Sequence, residues 1–376
     1  MVYNIFVLFV FFLLYLYYKG GYRKEKYINA IFFMMWVIFA IEYYTTKDYP
    51  VYYENFYNNI EHWEPLYTFL MHLFRPLGFI SFNAAVSAFE IFTLCFLYKK
   101  IVPPRYRWIG IVFLILNNDY LLIFMNLKRQ FFAMACGLWV AYYSFCSENK
   151  RRYLYALIAL VCAINIHSSG YVCAVFILLS FINKRMNKPL IIGFFVIYAV
   201  SFTFSLSAYA EYISQMMALT GESSDYYMQY LDQQAEYEKE GIGRNLTLVY
   251  RSFDILLFSL LLIYNKKATD KEYKFFLCSI IYFILGNILL GNFFRINLYF
   301  KIMNIISIPL ILSKIRIHNT NQLLFYAYTF LCLAIPARLY YNTMFSDKYN
   351  YMTVKYKNFY TCLLYTSPSP RDSTSS

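Results

Sequence analysis

Residues able to do chemistry are few in this chain, and they recur where apolar runs end. Asp48 stands in T-K-D-Y-P and Glu64 precedes Pro65. Lys128 and Arg129 sit in L-K-R-Q, His167 opens H-S-S-G, and Arg75 and Arg295 complete the set. A guanidinium holds phosphate through a planar fork of donors. A carboxylate or neutral imidazole beside it can take a proton from a hydroxyl. A diphosphate leaving group and a sugar-hydroxyl nucleophile would use both kinds of group. Tyr52, with Tyr49, Tyr53, Tyr57, Trp63 and Tyr67 around it, offers aromatic faces for a sugar ring, although such residues also collect at any membrane interface. Taken singly, each residue also has a structural explanation: an Arg anchors a helix end, an Asp turns a loop, and Glu-Pro starts a helix. The pattern to explain is the concentration of ionisable groups in one set of loops.

The elements that must position them are apolar. The chain has 376 residues, 60% hydrophobic, 22% aromatic and 15% charged, where soluble domains are nearer about 25% charged. The fold expected is all-α and polytopic, since backbone groups in lipid must be satisfied within the segment and the runs lack barrel-strand alternation. About twelve spans are expected: Val2–Tyr18, Ile28–Tyr44, Phe82–Tyr98, Trp108–Phe124, Phe131–Cys146, Tyr153–Ile166, Tyr171–Ile182, Leu190–Leu206, Leu246–Tyr264, Phe275–Gly291, Ile296–Leu312 and Leu323–Pro336. Phe131–Cys146 and Tyr153–Ile166, joined by a short basic turn, should form a hairpin whose open end returns Arg129 and His167 to the same face. With the N-terminus outside, alternate loops carry Lys19/Arg23/Lys24/Lys26, Lys99/Lys100/Arg105/Arg107, Lys150/Arg151/Arg152, Lys184/Arg185/Lys188, Lys266/Lys267/Lys271/Lys274 and Lys314/Arg316. Those loops are expected on the cytoplasmic side. The candidate residues fall in the other set, provided Leu66–Ile80 does not cross but lies as an interfacial or re-entrant helix. That second set includes a long acidic loop, Ser207–Asn245, which could cover an acceptor glycan.

Several function classes are excluded by composition and motif. The net charge of +13 lies in short clusters between apolar runs, which is an orientation signal and not a nucleic-acid surface. Cys95, Cys136, Cys146, Cys162, Cys173, Cys278 and Cys332 lie within apolar runs, with neither a disulfide framework nor a CxxC metal pair. No phosphate-binding Gly loop, dinucleotide fingerprint or HExxH occurs, so no cofactor or metal is expected. The tail Cys362–Ser376 reads as translated sequencing-library adaptor. A single membrane-embedded domain is therefore expected over 1–361, with 362–376 non-native.

The chain resembles the EpsG family, Wzy-like polymerases of bacterial exopolysaccharide and O-antigen synthesis. The resemblance rests on D-Y-P-V-Y-Y-E-N-F-Y (Asp48–Tyr57) leading to E-P-L-Y (Glu64–Tyr67), L-K-R-Q-F-F-A (Leu127–Ala133), N-I-H-S-S-G (Asn165–Gly170) and F-R-I-N-L-Y-F (Phe294–Phe300), in the family's order. It implies a GT-C-like inverting membrane glycosyltransferase that joins oligosaccharide repeat units carried on undecaprenyl diphosphate, at the outer face of the bacterial inner membrane. Its products would be exopolysaccharide, capsule or O-antigen. Membrane lipid, a flippase and a chain-length regulator are the implied partners. The family's acidic, RQ, His and second Arg positions fall on Asp48 and Glu64, Arg129, His167 and Arg295; the first four are the expected catalytic residues, and Arg295, with Lys128, Arg75 and Tyr52, is expected to bind substrate. His167 is the first choice of base, and Glu64 and Asp48 are the alternatives. A lipid-linked oligosaccharide flippase and a membrane acyltransferase acting on surface glycans stay open as other readings. The first would line a path across the membrane with charge, and the second would reach the cytoplasmic side for its acyl donor.

Overall fold

A computed structural model describes residues 2–42, 48–58, 63–201, 247–288, 294–318 and 322–345. The expected acidic loop cover at Ser207–Asn245 and the tail at Cys362–Ser376 lie outside these residues. Among the described residues the secondary structure is helical, with no β-strand. In chain order the helices are α1 (Val2–Lys19), α2 (Lys26–Ala40), α3 (Tyr49–Asn58), α4 (Pro65–Phe74), α5 (Phe79–Ile101), α6 (Arg107–Leu116), α7 (Asn118–Asn126), α8 (Lys128–Phe145), α9 (Arg152–Ile166), α10 (Ala174–Ser180), α11 (Lys188–Ser201), α12 (Thr247–Tyr264), α13 (Asp270–Ile288), α14 (Phe294–Lys301), α15 (Asn304–His318) and α16 (Gln322–Phe345).

Two expected spans are each divided in the structure. Trp108–Phe124 becomes α6 and α7, broken at Asn117, whose backbone is extended (φ −94°, ψ 100°). Asn favours turns because its amide competes for backbone partners. Ile296–Leu312 is split into α14 and α15. Tyr171–Ile182 is a 3-10 segment, Ser168–Cys173, followed by the short α10. The segment expected not to cross forms only α4, of 10 residues, and a 3-10 turn at Arg75–Leu77. At 1.5 Å per residue α4 is about 15 Å long, half a bilayer core. By length and apolarity, two described stretches could cross a membrane alone, Phe79–Ile101 and Arg295–Ile315, and five shorter apolar helices accompany them. Large side chains such as Leu8 and Phe12 on α1, Leu157 and Val161 on α9 and Val196 on α11 are exposed. Faces of this kind suit lipid as solvent.

Ion pairs gather the basic loops. Glu25 pairs with Lys99 at 3.0 Å and Arg107 at 2.8 Å, tying the α1–α2 loop to the α5–α6 loop. Arg185 reaches Asp270 at 2.6 Å, Lys271 reaches Glu148 at 2.9 Å, and Lys314 reaches Glu272 at 2.8 Å. The α8–α9, α10–α11 and α12–α13 connections and the end of α15 therefore meet at one end of the bundle. The hairpin of α8 and α9 turns within that group, so its open end faces the other way.

Candidate functional site

Glu64 joins the three elements that make the site. It precedes Pro65 at the start of α4 in an extended conformation (φ −60°, ψ 147°) without capping its own helix. Its side chain instead crosses to α8 and to the 3-10 segment that follows α9. Oε2 lies 2.7 Å from Arg129 Nη1, and Oε1 accepts from the Ser168 backbone N–H at 2.6 Å. Arg129, at the start of α8, also sits 5.0 Å over the Trp63 ring. Its Nε is buried and has no hydrogen-bond partner among the described residues. A buried N–H normally finds an acceptor, so this donor is an exception.

His167 ends α9 and begins the 3-10 segment. Its Nδ1 accepts from the Ser169 backbone N–H at 3.2 Å and lies 2.8 Å from Ser169 Oγ. Ser169 Oγ is in turn 3.1 Å from the Tyr299 hydroxyl of α14. A backbone N–H can only donate, so Nδ1 presents its lone pair to Ser169 and the neutral ring holds its proton on Nε2. The His167 pKa is held down to about 4, chiefly by burial and then by Arg129 and Arg295, with Glu64 opposing them. At neutral pH the imidazole is uncharged, and Nε2–H is a donor.

Gly170 is required by close approach. A Cβ there would fall 2.4 Å from the Ala163 carbonyl oxygen of α9. Only a hydrogen lets the H-S-S-G turn fold back on α9 and hold the imidazole in place.

Arg295 enters from a distant part of the chain. Its backbone carbonyl accepts from Gln130 Nε2 at 2.6 Å, which locks α14 to the first turn of α8. The Arg295 side chain is exposed, and its charge acts on both His167 and Tyr52. Tyr52, on α3, is buried with its ring 5.5 Å from Trp63. Its hydroxyl pKa is raised by burial and by Asp48, against the pull of Arg129 and Arg295. Asp48 is held by Asn126 of α7, which donates to Oδ2 at 3.1 Å and accepts from the Asp48 backbone N–H at 3.2 Å.

Asp48, Tyr52, Glu64, Arg129, His167 and Arg295 thus converge at one end of the bundle. Lys128 and Arg75 do not join them. Lys128 points to a different face of α8 and is buried against Glu42 and Asn83, where its ammonium fixes the start of α8 to the end of α2 and to α5. The nearby Glu90 is also buried, with neither carboxyl oxygen hydrogen-bonded. Arg75 ends α4, and its Nε donates to the Phe56 carbonyl at 3.1 Å, an anchor between α4 and α3. Ser168, Ser169, Gln130, Tyr299 and Asn126 belong to the site's supporting contacts and were not singled out from sequence. Ser169 and Gln130 lie inside the H-S-S-G and L-K-R-Q strings. Tyr299 follows Arg295 by four positions, the spacing of one helix face.

The sequence that builds this arrangement matches a known family. The pattern of the EpsG family covers residues 25–358. The chain belongs to the EpsG family. EpsG proteins are Wzy-like membrane polymerases, so the chain is of the polysaccharide-polymerase type. No curated protein and no solved structure matches it. The strings D-Y-P, E-P-L-Y, L-K-R-Q, H-S-S-G and F-R-I-N-L-Y of this sequence lie within that range and supply Asp48, Glu64, Arg129, His167 and Arg295, the residues that converge here.

Proposed function

We propose that this EpsG chain is an inverting GT-C-like membrane glycosyltransferase of about twelve spans. It extends exopolysaccharide, capsule or O-antigen from repeat units carried on undecaprenyl diphosphate, at the outer face of the bacterial inner membrane. The observation that carries this reading is the convergence of Arg129 and Arg295 with a neutral imidazole, with a buried guanidinium N–H left over for an anion. A flippase would spread cationic groups along a crossing path, and these gather at one end.

In the reaction an acceptor hydroxyl attacks the anomeric carbon of the donor. The bond from that carbon to the diphosphate oxygen breaks, and the electron pair leaves with the diphosphate. Arg129 and Arg295 hold the departing charge, and donors preorganised in this way usually make the largest catalytic contribution. His167 contributes through Nε2–H as a donor to the diphosphate or to a sugar oxygen, because its Nδ1 lone pair is turned to Ser169. Both Glu64 oxygens are engaged with Arg129 and Ser168, which makes it a positioning group. The acceptor's proton passes to a carboxylate of the site, for which Asp48, joined to Asn126 beside Tyr52, and Glu64 are the candidates.

The test uses a cell lacking its own polymerase but supplying the lipid-linked repeat unit. The intact chain should give a ladder of long products. Arg129→Ala and Arg295→Ala should strand single repeat units on the outer leaflet. Build-up on the inner leaflet would replace the polymerase with a flippase.

A further inference from the structure

An apolar groove opens beside the site, and its position relative to the charged groups suggests an occupant. It has a volume of about 250 Å³ and is lined from four helices, α4, α5, α8 and α9. Phe132 and Cys136 line it from α8, one and two turns beyond Arg129. Ile166 and Cys162 line it from α9, beginning at the residue before His167. Leu66 lines it from the first turn of α4, two residues after Glu64. Because α8 and α9 are antiparallel, both stripes run away from the charged site toward the opposite end of the bundle. On α5, Ala85 and Phe89 form the far wall, and Phe89 meets Phe132 edge to face at 5.3 Å. Arg129 therefore sits at the mouth, with the apolar channel running away from it along α8.

We propose that this groove binds the first isoprene units of the prenyl chain on the diphosphate-linked donor, continuous with the Arg129–Arg295 head site. This rests on the reading of that site as a diphosphate site. The ligand must be an amphiphile with an anionic head and an apolar tail in line, and each end meets its complement here. At about 30 Å³ per water-sized group the volume takes about two five-carbon units. The rest of the chain would leave sideways between α4 and α5 into lipid. A larger cavity of about 400 Å³, between α1 and α6 with Phe11, Tyr15 and Trp108 in its wall, has no such head site among its lining residues. It serves as the control.

The probe is a sugar-free, diazirine-bearing prenyl diphosphate, photolysed with the full chain in phosphatidylglycerol/phosphatidylethanolamine nanodiscs. Adducts should map to peptides containing Phe89 or Cys162. Undecaprenyl diphosphate should compete with labelling, and added phosphatidylglycerol should not. Ala85→Trp, which fills the groove, should cut labelling tenfold or more, and Tyr15→Trp in the control cavity should leave it unchanged. A second measurement needs no variant: undecaprenyl diphosphate should protect native Cys162 from N-ethylmaleimide, read site by site by mass spectrometry. Equal competition by phosphatidylglycerol, adducts outside the groove, or no protection of Cys162 would overturn the proposal. Labelling that is lost in Arg129→Ala yet maps elsewhere would remove the groove and keep the diphosphate site. Labelling in the groove that Arg129→Ala and Arg295→Ala leave unchanged would overturn the joint head-and-tail site.

Discussion

Replacing Arg129 with Lys separates charge from geometry. In the folded chain Arg129 gives Nη1 to Glu64 at 2.7 Å and stacks over Trp63, and Nε has no partner among the described residues. A Lys ammonium could keep the Glu64 contact. The pair is about one-fifth exposed on each side, and because the ammonium keeps Glu64 paired no buried charge is left without a partner. Thermal unfolding should therefore change little. The lost feature is the second donor, Nε–H, fixed by the guanidinium plane. Removing one preorganised donor typically raises a barrier by about 3–4 kcal/mol, or roughly 100- to 1,000-fold in rate. The assay is single-turnover transfer by purified protein in nanodiscs, with lipid-linked repeat unit as donor and acceptor, alongside a melting curve. We expect a rate loss of about 100-fold or more with an almost unchanged midpoint. A rate within about threefold of the parent would mean that Arg129 supplies only charge, and the diphosphate-fork argument would fail.

His167 should not titrate where an ordinary His does. Its folded pKa of about 4 lies below the usual 6.5, so protonation opposes folding as pH falls between those values, and the stability it contributes is intact above 6.5. The acid limb of kcat/KM attributable to His167 should lie near 4, and one near 6.5 that vanishes in His167→Gln would contradict this. Because Gln can offer an N–H near the Nε2 position, His167→Gln should retain more activity than His167→Ala; equal loss would refute the donor role. Gly170→Ala drives a methyl group against the Ala163 carbonyl, and a shift of the turn by about 1 Å should cost roughly 100-fold in activity. Wild-type kinetics from that variant would show that the turn is not strictly held. Cysteines placed at Asn149 and Asn187 should resist a membrane-impermeant thiol reagent in intact cells, and one at Asn58 should react; reversed labelling would place the site on the other side of the membrane. Lys128→Met should destabilise the fold by about 3–5 kcal/mol by leaving Glu42 buried without its cation, and Lys128→Met with Glu42→Leu should recover much of the loss.

What the sequence determined was the element type and its punctuation. Uninterrupted apolar runs allow only helices, Pro65 after Glu64 marks a helix start, and the short turn between two runs makes a hairpin. These are local properties, set by backbone hydrogen bonding and by residues adjacent in the chain. The pairing of Arg129 with His167 followed from that hairpin alone. Arg295 is a different case, because its approach depends on a Gln130 hydrogen bond across a sequence separation of 165, and no local rule contains that contact. Lys128 and Arg129 show the limit most clearly. They are adjacent and alike in charge, yet successive positions on a helix point about 100° apart. Packing of α2 and α5 buries Lys128 against Glu42, and Arg129 is left facing Glu64 and the site. Only the tertiary structure decides which of two neighbouring cations meets a substrate, because that depends on which helices cover each face.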